Sequence, residues 1–282
     1  MPSPAFLFGT VGSPLSTPKK PGGSVGAIQH SASLGLRALE LGWVRSINVT
    51  EKTCAAIKAQ GQDSNVAISV HATYFFNLNA TDEEWPKSRK RLMDACHFGY
   101  LAGATDIIFH PGSYFQRPPA EVLRLTIPRL RGIVQELRDN GNPVTLRPET
   151  MGKSAMLGSF EDTLEMSAEI EGVQPCIDFA HLHARPGDGS VNSSAEWESL
   201  LKKLKRKLGA QALKTMHIHL SGIEYGPKGE KHHLKFTEAD LKYKDLLRTL
   251  HDHKCAGRIL CESPIMEEDA ALLKKTWEKI SK

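Results

Sequence analysis

Short apolar, β-branched runs alternate along this chain with longer stretches in which apolar residues recur at helical spacing. A strand followed by a helix, repeated, is the pattern of parallel βα units. The runs predict strands over residues 5–9, 38–41, 66–71, 106–110, 144–149, 175–179, 215–220 and 258–262. Eight such units close into a (β/α)8 TIM barrel, an α/β fold of typically about 250 residues. The 282 residues are therefore read as one barrel domain, 1–282.

Between the strands, Asp82 is placed to cap a helix carrying Trp85, Leu92, Cys96 and Tyr100, and Pro119 to open one through Leu123, Ile127, Leu130 and Ile133. The basic run 200–208 has helical period and reads as the solvated face of an outer helix. Residues 267–280 form the last predicted helix. Segments 13–24 and 222–235 are polar and rich in turn formers or histidine, and read as long loops after the first and seventh strands.

The chemistry collects at the strand ends. His71, His110, Glu149, Asp178, either His217 or His219, and Glu262 stand at or next to the C-terminal ends of strands three to eight. Those ends converge on one mouth of a (β/α)8 barrel, where active sites sit. Imidazoles and carboxylates gathered this way suit zinc, or manganese or iron. Without a cation the carboxylates would repel one another. Pro111-Gly112 stops the fourth strand abruptly and fixes His110 at the rim. Asp178 and His181 lie three apart where the sixth strand ends, and Glu230 and His232 lie two apart in the loop after the seventh. Tyr74, Phe75 and Phe76 follow His71 and serve either as core or as rim aromatics.

Composition narrows this little. Apolar residues make up 40% and charged residues 24%, enough for one large core, and a net charge of +4 permits a phosphate-bearing partner without implying one. No apolar run approaches the roughly 18 residues of a membrane helix, and MPSPAFLFGT carries no basic or long apolar region of a secretory leader. Five cysteines without a CxxC pair fit free thiols in a reducing cytoplasm. The expectation is a cytoplasmic enzyme.

From about Val66 onward, the ordered set His71, His110-Pro111-Gly112-Ser113, Glu149-Thr150, Cys176-Ile177-Asp178-x-x-His181, His217, Glu230-x-His232 and Glu262-Ser263 resembles endonuclease IV. The resemblance implies a zinc-dependent apurinic/apyrimidinic endonuclease that cuts duplex DNA 5′ to an abasic site; a monomer is expected. It also implies three zinc ions. His71, His110 and Glu149 would hold the first; Glu149, Asp178, His217 and Glu262 the second; His181, Glu230 and His232 the third. Glu149 and Glu262 would be catalytic, with Tyr74, Phe75 and His219 at the substrate. Manganese is the alternative metal. This chain departs from the family's pattern at Glu230 (usually Asp), at His219 (usually Asn) and at Arg147-Pro148 before Glu149. It also lacks a Gly-rich segment after His233, and has Thr10-Val11-Gly12-Ser13 where a His-x-Ser is expected. The competing expectation is a one-metal sugar isomerase or epimerase of the related xylose-isomerase-like barrels, using Glu149, Asp178, His217 and Glu262. A third is a protein that binds damaged DNA without cutting it.

Overall fold

A computed structural model describes residues 6–282. Eight parallel strands form the barrel: β1 Phe6–Val11, β2 Ala38–Gly42, β3 Ala67–His71, β4 Asp106–Phe109, β5 Thr145–Pro148, β6 Cys176–Asp178, β7 Met216–Leu220 and β8 Gly257–Cys261. Their order is β5-β4-β3-β2-β1-β8-β7-β6, and parallel bridges Leu146–Val173 and Glu149–Cys176 join the two ends. All eight predicted strands are present, with boundaries shifted by a residue or two; Ala5 lies outside the described residues.

The outer helices bury one apolar stripe each. In the basic helix Ser194–Leu208, Trp197, Leu201 and Leu204 face inward at helical spacing. Its lysines reach across to the helix Phe160–Glu169, with Lys203 on Glu161 at 3.0 Å and Lys207 on Glu165 at 2.8 Å. The basic run is a solvated helix face, as its period predicts. The helix of Leu92 and Cys96 begins at Trp85, with Glu84 and not Asp82 at its N-cap. Asp82 instead accepts a 2.7 Å bond from Arg129.

Segment 222–235 is not a loop. It folds into an antiparallel hairpin, Gly222–Gly226 with Gly229–Leu234. Tyr225 pairs with Glu230 but Glu224 pairs with His232, so Lys231 is the extra residue of a β-bulge. Segment 13–24 remains mostly irregular and is pinned to the last helix, where Glu267 accepts bonds from the Leu15 and Ser16 backbone at 2.7 and 2.8 Å.

The barrel axis carries charge from end to end. At the N-terminal end Arg147 donates to Asp106 at 2.6 Å and to the carbonyls of Pro175 and Thr215 at 3.1 and 3.0 Å. Arg258 stands 3.2 Å from the same carboxylate. Burial alone would raise the Asp106 pKa, but the two guanidiniums outweigh it and hold the carboxyl far below its ordinary range. The unusual lead-in to Glu149 is thereby explained: two residues before the mouth, Arg147 plugs the floor.

Candidate metal centre

Glu149 is the hub of the mouth. It is fully buried, and its Oε2 lies 3.1 Å from His71 Nε2 and 3.2 Å from His110 Nε2. Its Oε1 lies 3.3 Å from His181 Nδ1 and 3.2 Å from His219 Nδ1. Burial favours the neutral acid, yet the surrounding imidazoles, His219 foremost, keep this carboxyl well below its usual pKa. Asp178 caps the short helix Phe179–Ala184 by accepting from the His181 amide at 2.7 Å. Its Oδ2 is buried without a hydrogen-bond partner. Burial raises the Asp178 pKa to about 6; His181 pulls it down, and Glu262 and Glu149 push it up.

Three groups of possible ligand atoms overlap here: His71, His110 and Glu149; Glu149, Asp178, His219 and Glu262; and Asp178, His181, His233 and Glu262. Within each, the donor atoms lie within 4.8 Å of one another. These donors fit divalent cations, and the unpartnered Asp178 oxygen is the kind of atom a cation would satisfy. In their absence protons compensate the acids. Burial opposes charge on His181, but Asp178, Glu149 and Glu230 raise its pKa well above the ordinary value. Glu149 likewise raises that of His71 against its burial.

Two expected ligands give way to their neighbours. His217 sits one layer below the mouth, its Nε2 2.9 Å from Glu40 Oε2. His219, nearer the C-terminal end of β7, occupies the second group instead. Both face the interior because side chains alternate along a strand, and the strand's stagger decides which one reaches the rim. The second correction comes from the bulge. Alternation would put Glu230 and His232 on one face, but the extra residue shifts the pattern by one. His232 is consequently exposed and pairs with Glu224 at 3.3 Å. His233 turns inward, with Nε2 3.3 Å from His181 Nε2 and Nδ1 3.1 Å from the Glu262 carbonyl. Glu230 stays close to the third group, 3.6 Å from His181 Nε2. The loop of Gly152 lies against it, where a Cβ would come within 2.7 Å of Glu230.

A cavity of about 290 Å³ opens over these groups, lined by Tyr74, Lys153, Glu230, His233 and Glu262 among others. Tyr74 stacks on His110 with ring centroids 5.1 Å apart and meets His71 edge-on at 5.7 Å. Phe75 beside it is exposed, and the Arg91 guanidinium lies 5.8 Å from its ring centre. Phe76 is core, packed edge-on against Phe109.

One charged residue of the site, Glu40, lies away from the strand ends. It is fully buried beneath the mouth, 2.8 Å from Ser69 Oγ, 2.9 Å from His217 and 3.1 Å from His219. A lone carboxylate inside the apolar run 38–41 was the available signal.

A family model described as xylose isomerase-like TIM barrel matches residues 28–280. The chain is 35% identical over 276 residues, 98% of both chains, to an uncharacterized protein of Methanocaldococcus jannaschii. It is 27% identical to endonuclease 4 of Thermus thermophilus over 259 residues, 88% of this chain and 90% of that one. Among solved structures, an endonuclease IV from Thermus thermophilus superposes with a TM-score of 0.71 at 23% identity, covering 96% of this chain and 98% of that one. A D-tagatose 3-epimerase-like protein superposes with a TM-score of 0.72 at 19% identity, covering 98% and 97%. Both likenesses are of fold. Among the described helices none is long and apolar enough to cross a membrane.

Proposed function

The chain belongs to the xylose isomerase-like TIM barrel family, and from that membership we propose that it is a metal-dependent phosphodiesterase of the endonuclease IV type acting 5′ to abasic sites in duplex DNA. The observation that carries this reading is the overlap of three ligand groups around Glu149, Asp178 and Glu262. A one-metal isomerase would leave His71, His110, His181 and His233 without a task.

Zinc is the preferred occupant, three ions per chain, given the imidazole and carboxylate donors. Cations held there would supply electrophilic pull on a phosphoryl oxygen and a lowered pKa for water. The chain's own residues do the rest. Glu149 joins the first two groups, and Glu262, the partly open carboxylate facing the cavity, stands in reach of a proton released during attack. Lys153 brings a cation to the rim for a phosphate, and Tyr74 and Phe75 offer faces on which a base or sugar can lie.

The group Glu149, Asp178, His219 and Glu262 favours a second reading, a sugar isomerase or epimerase using one metal. Metal content separates the two: about three equivalents per chain support the nuclease and one supports the epimerase. Incubation with a duplex carrying one abasic analogue tests cutting directly. Glu149→Gln is expected to abolish cleavage with the fold retained. Unaltered cutting by that variant, or binding of the duplex without cutting by the metal-loaded wild type, would remove the assignment.

A further inference from the structure

Every strand from β3 to β8 sends a donor toward the mouth, whereas β2 contributes Glu40 from one layer below. Glu40 Oε1 and His219 Nε2 face each other at 3.1 Å, too far off line for a hydrogen bond, and both are buried without any other partner. A carboxylate oxygen is only an acceptor, so at this distance the imidazole must present N–H to it; two lone pairs would repel. In a neutral, metal-bound ring that leaves the other nitrogen to carry the lone pair. Nδ1 is hydrogen-bonded to Glu149 Oε1 at 3.2 Å and lies 3.3 Å from Glu262 Oε1, so a proton holds this position until a cation replaces it between the ring and the acids. The carboxylate below is itself anchored, since Ser69 Oγ donates to its Oε2 at 2.8 Å and His217 Nε2 lies 2.9 Å from the same oxygen.

We propose that Glu40 is a positioning residue for the second metal group: it fixes His219 with Nε2–H pointing down the barrel, so that Nδ1 meets the metal shared with Glu149, Asp178 and Glu262. The proposal rests on the metal reading of the mouth. It assigns the second-strand acid the part that carboxylates play behind metal-bound histidines, where their loss weakens metal binding about 10- to 100-fold. It also gives His217 a task, as the clamp that keeps Glu40 from rotating.

Three measurements decide it. The first uses unaltered protein loaded with zinc and long-range proton–nitrogen spectra of its histidines, with His219 identified through His219→Gln. Nε2–H with a metal-bound Nδ1 is expected; a metal-bound Nε2 overturns the proposal. The second measures metal affinity by chelator competition in Glu40→Gln and Glu40→Leu. Leucine should weaken one metal by about 10- to 100-fold and leave the others alone, with glutamine falling between leucine and wild type. Cobalt-loaded protein should lack a thiolate-to-metal absorption band. Such a band would mean that Cys176, His217 and His219 hold the metal themselves, against the proposal. Should Glu40→Leu fail to fold, the spectra of the unaltered protein decide alone. Absence of any bound metal in wild type would overturn the metal reading and this proposal together; equal affinity in all three proteins would overturn this one only.

Discussion

His217 and His219 point to the same side of one strand, yet only His219 reaches the acids of the mouth, while His217 is bonded to Glu40 beneath it. The two should respond differently to substitution. His219→Asn is expected to lose one metal equivalent. His217→Asn should keep the full complement but lower stability by about 1–3 kcal/mol, the cost of a buried carboxylate deprived of its donor. Elemental analysis beside a denaturant titration reads both; equal metal loss in the two variants would restore His217 as the ligand.

The bulge at Lys231 makes a similar contrast one hairpin away. His233→Ala should weaken the third metal. His232→Ala, on the exposed face, should leave metal content unchanged and stability within about 0.5 kcal/mol. Loss of metal from the His232 variant alone would mean that the hairpin is paired without the bulge.

Metal binding should release protons. In the metal-free centre, burial works against charge on His181 and His219, but the neighbouring carboxylates raise both pKa values well above the ordinary imidazole value. Both rings are therefore protonated near neutral pH, and a cation must displace those protons. Affinity should fall as pH falls. Calorimetry in buffers of different ionisation enthalpy counts the protons; a buffer-independent heat would contradict the charge state derived for these rings.

Asp106 sets an acid limit on the fold that is independent of the metals. Its pKa is depressed by Arg147 and Arg258 against the effect of burial, so its stabilising contribution is fully present above the unfolded value of about 3.9 and is lost as pH falls below it. Asp106→Asn leaves the buried Arg147 and the half-buried Arg258 without their shared carboxylate and should cost about 3–5 kcal/mol at neutral pH. The two stability curves should converge in acid. Parallel curves from pH 7 to pH 3 would show that the carboxylate's charge is not what holds the floor.

Tyr74 and Phe75 are expected to act on substrate and not on metal. Their joint replacement by alanine should weaken binding of a duplex with an abasic site by about 30-fold or more, in line with about 1–3 kcal/mol for each lost aromatic stack, with metal content unchanged. Undiminished binding in a mobility assay would assign the exposed pair another role.

The barrel and its ring of donors were legible because strand period and strand ends are written locally. Pro111-Gly112 after His110 is such a local stop. What escaped depends on relations between strands. Whether His217 or His219 reaches the rim is set by stagger, which no single strand encodes. Whether His232 or His233 turns inward is set by an inserted residue in a hairpin that looked like a loop. Glu40 sits mid-strand, where the rule that barrel sites gather at strand ends does not reach.

The junction between β5 and β6 is made of isolated bridges and not a continuous ladder, and one of those bridges is Glu149 with Cys176. The residue whose carboxylate binds the mouth together is thus also the residue whose backbone clasps the ring shut. Ions that hold the Glu149 carboxylate should therefore also steady this junction. The Thr150 amide, which donates to the Cys176 carbonyl at 3.0 Å, is where slowed hydrogen exchange would report that the ions have arrived.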